Sequence, residues 1–358
     1  MKHLAQAAMM CIALLCLNGI AAPGDVGSAE SWYQKGMQLA QSGQAEDALN
    51  AFDKALSMDP KYEDAWRAKG AVLCSIHQPD QGVAACDTAI QLDPKDWKAW
   101  ANKGSGLADM GRFDDALTAL NKALTLEPTD GPTWSNKGAI LLQLNRPQDA
   151  LKAFDEGIEL DPDNQQMWIN KAAALAGMGK ADEMLAFLDT IIARKPDDAG
   201  RYLIKALAAG QVGKMEQSVQ AFDKVTQLLP DSAVGWIGKG QALANMDSLD
   251  DALAAITKAI SITHDVPDAW NTKGVILARL HRFDDAKAAY DTTIALAPRF
   301  PGAWYDRACV NALQGDNAHA LSDLRTATEM DTTLKTAAKQ DEDFKTLRDD
   351  PQFKQITQ

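Results

Sequence analysis

Residues 97–130 read WKAWANKGSGLADMGRFDDALTALNKALTLEPTD, and this stretch carries the pattern on which the rest of the chain is built. Trp100 and Gly104 lie about one helical turn apart in its first half, and Ala116 and Leu120 do the same in its second half. The proline close to its end stops the second run, because proline has no N–H to donate and restricts the residue before it. The stretch therefore predicts two helices joined by a turn.

An aromatic residue recurs along the chain at one fixed interval, the interval from Trp32 to Trp66. The positions are Trp32, Trp66, Trp100, Trp134, Trp168, Tyr202, Trp236, Trp270 and Trp304. A small residue follows each of them by four positions, namely Gly36, Gly70, Gly104, Gly138, Ala172, Ala206, Gly240, Gly274 and Ala308. Only Trp97 lies off this lattice, so the chain is predicted to be an array of internal repeats.

The lattice resembles the tetratricopeptide repeat, a helix–turn–helix unit with the motif W-x2-L-G-x2-Y, then A-x3-F, then P. The resemblance implies an all-α fold, an α-solenoid of antiparallel helix pairs stacked in a right-handed superhelix. Stacking is needed because one hairpin cannot bury its apolar face alone. The nine predicted repeats are 29–62, 63–96, 97–130, 131–164, 165–198, 199–232, 233–266, 267–300 and 301–334. Residues 335–358 leave the lattice and are predicted to be a helical segment that caps the array.

The amino terminus has the pattern of a secretory signal peptide. Lys2 precedes an uncharged, largely apolar run over 4–22 that ends in small residues. We assign 1–24 to the signal peptide and 25–28 to a short linker, and an uncleaved membrane anchor stays open as the alternative. The mature chain is therefore expected to be secreted or extracytoplasmic, at the cell envelope.

Charge and motif content exclude several classes of function. The chain has 36 Lys+Arg against 49 Asp+Glu, a net charge of −13, which disfavours nucleic acid and anionic membranes as partners. It contains no C-x-x-C, no H-E-x-x-H and no Gly-rich phosphate loop. We therefore expect no catalytic activity, no metal and no small-molecule cofactor, and contact with a membrane only through the amino-terminal segment.

A basic residue occupies one position of every first helix. These residues are Lys35, Lys69, Lys103, Lys137, Lys171, Lys205, Lys239, Lys273 and Arg307. A second series, in the second helices, is Asp53, Asp87, Asp155, Asp189, Asp223 and Asp291, with Asn121, Thr257 and Arg325 as exceptions. We predict a Lys–Asp ladder within each hairpin, with the lysine stems packed beside the tryptophans, rather than a cationic surface for an anionic partner.

The resemblance implies that the inner surface of the first helices forms a concave binding groove. Asn102, Asn136 and Asn170 share one groove position, with Lys98 nearby, and resemble the asparagine ladder of O-linked N-acetylglucosamine transferases. An asparagine amide offers a donor and an acceptor, which matches a peptide backbone of any sequence. The alternative is that asparagine at this position is only a habit of the subfamily.

Further along the array the same surface is predicted to be apolar. The residues are Ile169, Leu203, Ile204, Leu207, Val234 and Ile237. Exposed aliphatic residues beside the sixth repeat, which departs most from the repeat pattern, favour a docking patch. The alternatives are local repacking around that unit and a contact with the facing turn of the superhelix.

The sequence therefore predicts a non-enzymatic scaffold that binds a protein or an extended peptide in the groove. Two other functions stay open. One is a self-associating structural spacer, in which the apolar patch would be the interface of a homo-oligomer. The other is an accessory subunit of an envelope enzyme or transporter complex.

Overall fold

The computed structural model describes residues 27–358, and the predicted signal peptide lies outside these residues. The described part is all-α, with 20 α-helices, one 3₁₀ helix and no strand. Helices of 13 and 14 residues alternate from Ala29 to Met330, and short helices follow them. Between Gly27 and the carboxyl terminus, every helix is too short or too polar to span a bilayer.

The helices form two compact units that divide after Lys180. Unit 1 contains the helices α1 (Ala29–Gln41), α2 (Ala45–Met58), α3 (Glu63–Ser75), α4 (Pro79–Leu92), α5 (Trp97–Asp109), α6 (Phe113–Leu126), α7 (Gly131–Gln143), α8 (Pro147–Leu160) and α9 (Gln165–Gly177). Each helix packs against the next in the chain, and consecutive odd-numbered helices also contact one another. The odd-numbered helices therefore form one continuous face of unit 1.

Unit 2 follows the same plan and ends in shorter elements. Its helices are α10 (Ala181–Arg194), α11 (Ala199–Gln211), α12 (Met215–Leu228), α13 (Ala233–Asn245), α14 (Leu249–Ile262), α15 (Pro267–Arg279), α16 (Phe283–Leu296), α17 (Pro301–Leu313), α18 (Asn317–Met330), α19 (Leu334–Gln340) and α20 (Pro351–Thr357), with a 3₁₀ helix at Glu342–Phe344. The odd-numbered helices α11, α13, α15 and α17 contact one another in order and form one face of this unit.

Capping residues at one repeated position begin several odd-numbered helices. Asp96, Asp130, Asn164 and Asp198 each accept a backbone N–H of the first helical turn through the side chain. This satisfies amide groups that have no partner inside the helix. Ser232 occupies the same position and is a residue type that often caps helices, but its side chain makes no capping hydrogen bond.

Small residues let the paired helices approach closely. A Cβ atom added at Gly138 would lie 2.3 Å from Cε1 of Phe154, so the phenylalanine ring fills the place of a side chain. The sixth pair solves the same problem differently. Ala206 stands where glycine is usual, and the Phe222 ring lies instead against Gly238 of the next odd-numbered helix, where an added Cβ would be 2.2 Å away. The aromatic ring of the second helix therefore needs a glycine opposite it. Where alanine fills the usual place, as at Ala206, the ring lies against a glycine of the next odd-numbered helix.

The carboxyl-terminal segment covers the apolar end of unit 2. Phe344, Leu347 and Phe353 are buried and pack with Leu324 and other residues of the last helix pair. Without this segment the last pair would expose its apolar face to water, because no further pair follows it in the structure.

Candidate peptide-binding faces

The repeated tryptophans are only partly buried. Trp168 is the exception, with 1% of its surface exposed. Trp66 and Trp100 donate their indole N–H to the carbonyl oxygens of Pro60 and Pro94, at 3.0 and 3.1 Å. Each bond connects an odd-numbered helix with the segment just before it. The repeated tryptophan therefore stabilises the contact between consecutive repeats by a hydrogen bond as well as by packing.

The basic row lies on these tryptophans. Lys103 Nζ lies 5.4 Å from the ring centroid of Trp100, within the range of a cation–π contact. It also forms an ion pair with Asp87 of the preceding even-numbered helix, at 2.6 Å. Lys239 repeats this arrangement with Asp223, at 2.7 Å. The predicted ladder therefore exists, but its position was wrong, because the bridges join neighbouring hairpins instead of lying within one.

The geometry explains the error. Each lysine follows its tryptophan by one helical turn and so lies on the side of that ring. That side of the odd-numbered helix packs against the even-numbered helix before it. The carboxylate that Lys69 reaches is therefore Asp53 of the preceding hairpin, and not Asp87 of its own hairpin. Such exposed pairs each contribute about 0–1 kcal/mol.

In unit 1 the predicted asparagine row is present, but two of its amides already have partners. Asn136 Nδ2 donates to Ser105 Oγ at 3.2 Å, and Asn170 Nδ2 donates to Ser135 Oγ at 3.4 Å. Asn170 Oδ1 also accepts from Gln166 Nε2 at 3.0 Å. The two bonds to serine join neighbouring odd-numbered helices, so part of the row aligns these helices.

Asn102 differs from the other two asparagines. It is half-buried on α5, and its amide makes no side-chain hydrogen bond within residues 27–358. Lys98 lies one helical turn before it and forms no ion pair in the described chain. The pair Lys98–Asn102, together with the free Oδ1 of Asn136, offers a cation, an amide donor and two carbonyl acceptors to a ligand on this face.

Unit 1 also contains a charged cluster around Arg67, which the repeat pattern does not predict. Arg67 lies 3.0 Å from Asp96 and 3.4 Å from Glu63, and also pairs with Asp64. Burial, and then the hydrogen bond to Asp96, raise the pKa of Glu63 to about 8. Three carboxylates around one guanidinium exceed its charge, so Glu63 retains a proton. The signal for this cluster was an arginine with acidic residues three and four positions before it.

In unit 2 the predicted apolar residues lie on α11 and α13, with unequal exposure. Leu207 is 54% exposed and Val234 is 59% exposed, whereas Leu203, Ile204 and Ile237 are half-buried. Leu203 packs with the core around Phe222, and Ile237 packs with the core of the next pair. Ile169 is 44% exposed on α9 of unit 1. The open part of the patch in unit 2 is therefore Leu207 and Val234.

The odd-numbered face of unit 2 becomes acidic near the carboxyl-terminal segment. Burial raises the pKa of Asp306 to about 6, opposed by a hydrogen bond from Asn271. Cys309 Sγ and carboxylate oxygens of Asp341 and Asp343 lie within 4.8 Å of one another, an arrangement compatible with metal ligands.

Hydrogen bonds of the cap account for this cluster. Asp341 accepts from the Tyr305 hydroxyl at 2.8 Å and from the Asp343 backbone N–H at 3.0 Å. Burial raises the pKa of the Cys309 thiol, which favours the neutral thiol over the thiolate that binds metals. We therefore interpret Asp341 as the residue that docks the carboxyl-terminal segment and assign no ion to the cluster.

Sequence profiles described as tetratricopeptide repeat match most of this array. One profile matches residues 39–105, 107–168 and 141–210, and a second matches 271–333. With the helix pairs described above, these matches show that the chain belongs to the tetratricopeptide repeat family. Proteins of this family are generally non-catalytic scaffolds that bind other proteins or peptides.

Solved structures with a similar fold include three bacterial proteins. A tetratricopeptide repeat protein from Parabacteroides merdae is 17% identical, covering 70% of this chain and 98% of its own, with a TM-score of 0.47. PilF of Pseudomonas aeruginosa is 21% identical, covering 60% and 96%, with a TM-score of 0.46. A thermophilic tetratricopeptide repeat protein of Thermus thermophilus is 19% identical, covering 51% and 98%, with a TM-score of 0.42. A comparison with curated proteins produced no match.

Proposed function

We propose that the protein is a non-catalytic adaptor of the cell envelope that binds an extended peptide segment of a partner along its odd-numbered helices. The observation that carries this proposal is the exposure of Leu207 and Val234 on the face of α11 and α13. The location rests on the charge-free apolar run near the amino terminus, which is typical of an export signal.

Leu207 and Val234 are aliphatic residues whose side chains are exposed rather than buried in the core. Their exposed surface favours burial against another apolar group, at about 25 cal/mol for each Å² removed from water. Partly exposed Leu203, Ile204 and Ile237 extend the same surface towards the core, so an incoming side chain meets a wall rather than a single residue. The surface suits a peptide that inserts apolar side chains between polar ones.

The odd-numbered face of unit 1 is polar at Lys98 and Asn102. The amide of Asn102 and the free oxygen of Asn136 can each bond a peptide N–H or C=O, whatever the peptide sequence. Lys98 adds a positive charge one turn away from Asn102. Unit 1 would therefore bind a peptide backbone, and unit 2, taken by itself, would select apolar side chains.

A phage-displayed library of random peptides, selected on the intact chain, tests this function. We expect enriched peptides with regularly spaced apolar residues, and we expect Leu207→Asp/Val234→Asp to lose them. Leu229→Asp/Leu296→Asp is the matched control, because these leucines are 49% and 41% exposed in unit 2 but lie outside the odd-numbered helices. Equal loss in both double variants, or no loss in either, would refute the assignment of this face.

The structural spacer is the second candidate, because the same exposed pair could bind another copy of the chain. Light scattering over a range of protein concentrations separates the two functions. A mass that rises with concentration, and falls to the monomer in Leu207→Asp/Val234→Asp, would favour the spacer over the adaptor.

A further inference from the structure

A cavity of about 340 Å³ opens in unit 2 between the even-numbered helices α14 and α16. Leu253, Trp270 and Leu277 supply apolar walls, and Thr257 and Lys273 lie among the polar lining residues. The helix α15, which carries Trp270 and Lys273, also contributes to the odd-numbered face. The cavity, however, is lined by the residues of α15 that lie next to the even-numbered helices α14 and α16. It is therefore separate from the peptide-binding face proposed above.

At this cavity the lysine–aspartate ladder is interrupted. The position of Thr257 holds aspartate in six other repeats, and that carboxylate pairs with the basic residue of the repeat that follows. Asp87 with Lys103 and Asp223 with Lys239 are examples, at 2.6 and 2.7 Å. Threonine brings a hydroxyl but no charge, and Lys273 forms no ion pair within residues 27–358. Its ammonium group lies 5.1 Å from the ring centroid of Trp270.

In the fourth repeat the same interruption of the ladder is accompanied by charges on the next even-numbered helix. Asn121 replaces the aspartate that would face Lys137, the equivalent lysine, but the following even-numbered helix carries Lys152 and Glu156. Burial, and then Arg146, lower the pKa of Lys137, and the carboxylates of Asp149 and Glu156 oppose that shift. In the eighth repeat the residues that correspond to Lys152 and Glu156 are small and uncharged and line the cavity, namely Ala288 and Thr292.

The remaining charges of the cavity compensate one another. Arg282 donates through Nε and Nη2 to the same oxygen of Asp285, at 2.9 and 2.7 Å. Lys273 thus forms no ion pair of its own within the described residues, and it lies beside walls made of leucine and tryptophan. The chain itself shows what fits beside a lysine at this position, since a carboxylate occupies it in the neighbouring repeats.

We propose that this cavity, which we name the Lys273 cavity (Leu253, Thr257, Trp270, Lys273 and Leu277), binds a carboxylate on an apolar stem. Two sources have this chemistry, namely an acidic side chain of a partner protein and the carboxyl terminus of a chain that ends in an apolar residue. The site goes beyond the adaptor function, because it would bind at a second surface and does not depend on the odd-numbered face.

Titration of the intact chain with hexanoate, followed by NMR, tests the site. The reporter is the indole N–H of Trp270, which donates to the His264 carbonyl at 2.7 Å and is assigned with Trp270→Phe. Hexanamide is the neutral matched probe, and hexyl phosphate is the anion of a different class. We expect a saturable shift of the Trp270 signal with hexanoate, and binding about fivefold weaker for hexanamide, the factor that one partly exposed ion pair provides.

Two substitutions and a control connect the shift with the proposed residues. Thr257→Asp restores the ladder and should abolish the preference for hexanoate over hexanamide, as should Lys273→Gln. Lys258→Gln removes the same charge from an exposed lysine of α14 outside the cavity and should leave the preference unchanged. Equal binding of hexanoate and hexanamide, tighter binding of hexyl phosphate, or a preference that persists in Thr257→Asp would each overturn the proposal.

Two capped peptides then separate the sources. Acetyl-Ala-Glu-Ala-amide carries a side-chain carboxylate, and acetyl-Ala-Ala-Leu with a free carboxyl terminus carries a terminal one. A Trp270 shift with the first peptide alone assigns an acidic side chain, and a shift with the second alone assigns a chain terminus. A shift with neither contradicts recognition of a protein carboxylate.

Discussion

Gly138 is a position at which one added methyl group should disturb the packing of unit 1. An added Cβ would lie 2.3 Å from Cε1 and 2.7 Å from Cδ1 of Phe154. Carbon atoms in contact are normally about 3.5–4.0 Å apart, so the phenylalanine ring or the helix would have to move by more than about 1 Å. Overpacking of this kind costs about 1–3 kcal/mol, while alanine is favoured over glycine in a helix by about 1 kcal/mol. We expect Gly138→Ala to lower the free energy of unfolding by up to about 2 kcal/mol.

Gly177→Ala is the matched control in the same unit. Gly177 is the last residue of α9, and a Cβ added there would meet no atom within 4 Å. The same substitution should therefore stabilise the protein by up to about 1 kcal/mol. Urea unfolding followed by far-ultraviolet circular dichroism gives the two midpoints. Because repeat proteins can unfold in parts, hydrogen exchange in α7 and α8 should show the loss locally. A Gly138→Ala variant as stable as Gly177→Ala would refute the view that helix approach is limited here.

Two further predictions concern charged groups. The pKa of Glu63 is raised to about 8 from an ordinary 4.5, so the folded state keeps a proton that the unfolded chain releases, and stability decreases as pH rises between these values. Glu63→Gln should therefore be more stable than the wild type at about pH 9 and nearly equal to it at about pH 5. Urea midpoints measure both comparisons. Lower stability of the variant at both pH values would mean that the carboxylate acts mainly as a partner of Arg67. Asp341→Ala should lower stability by about 1–2 kcal/mol, because it removes the acceptor of Tyr305 and of the 3₁₀ helix, whereas Asp349→Ala should have little effect in the same thermal scan.

Much of the fold could be predicted because the same local sequence signals for two helices recur in nine repeats. Helical spacing of apolar residues, a proline after each second helix and capping residues such as Asp96 all act within a few positions of the chain. Local signals of this kind predict where helices begin and end. They were less reliable at Ser232, whose hydroxyl makes no capping bond in the folded helix.

The candidate site was harder to predict because it depends on contacts between helices. The asparagine row was found by its period, but nothing in the period shows that Asn136 donates to Ser105 while Asn102 has an open amide. The apolar patch was likewise found as a set, and only packing shows that Leu203 belongs partly to the core and Leu207 to the surface.

The sequence by itself determined the helices, their pairing and the family of the protein, because all three follow from spacings within one repeat unit. The tertiary structure decided which groups meet across neighbouring units. It places Lys103 with the carboxylate of the preceding hairpin, shifts the Phe222 ring against Gly238, and leaves Lys273 beside a cavity. The physical reason is that these outcomes depend on distances between packed helices, and a residue's position in the repeat does not contain those distances.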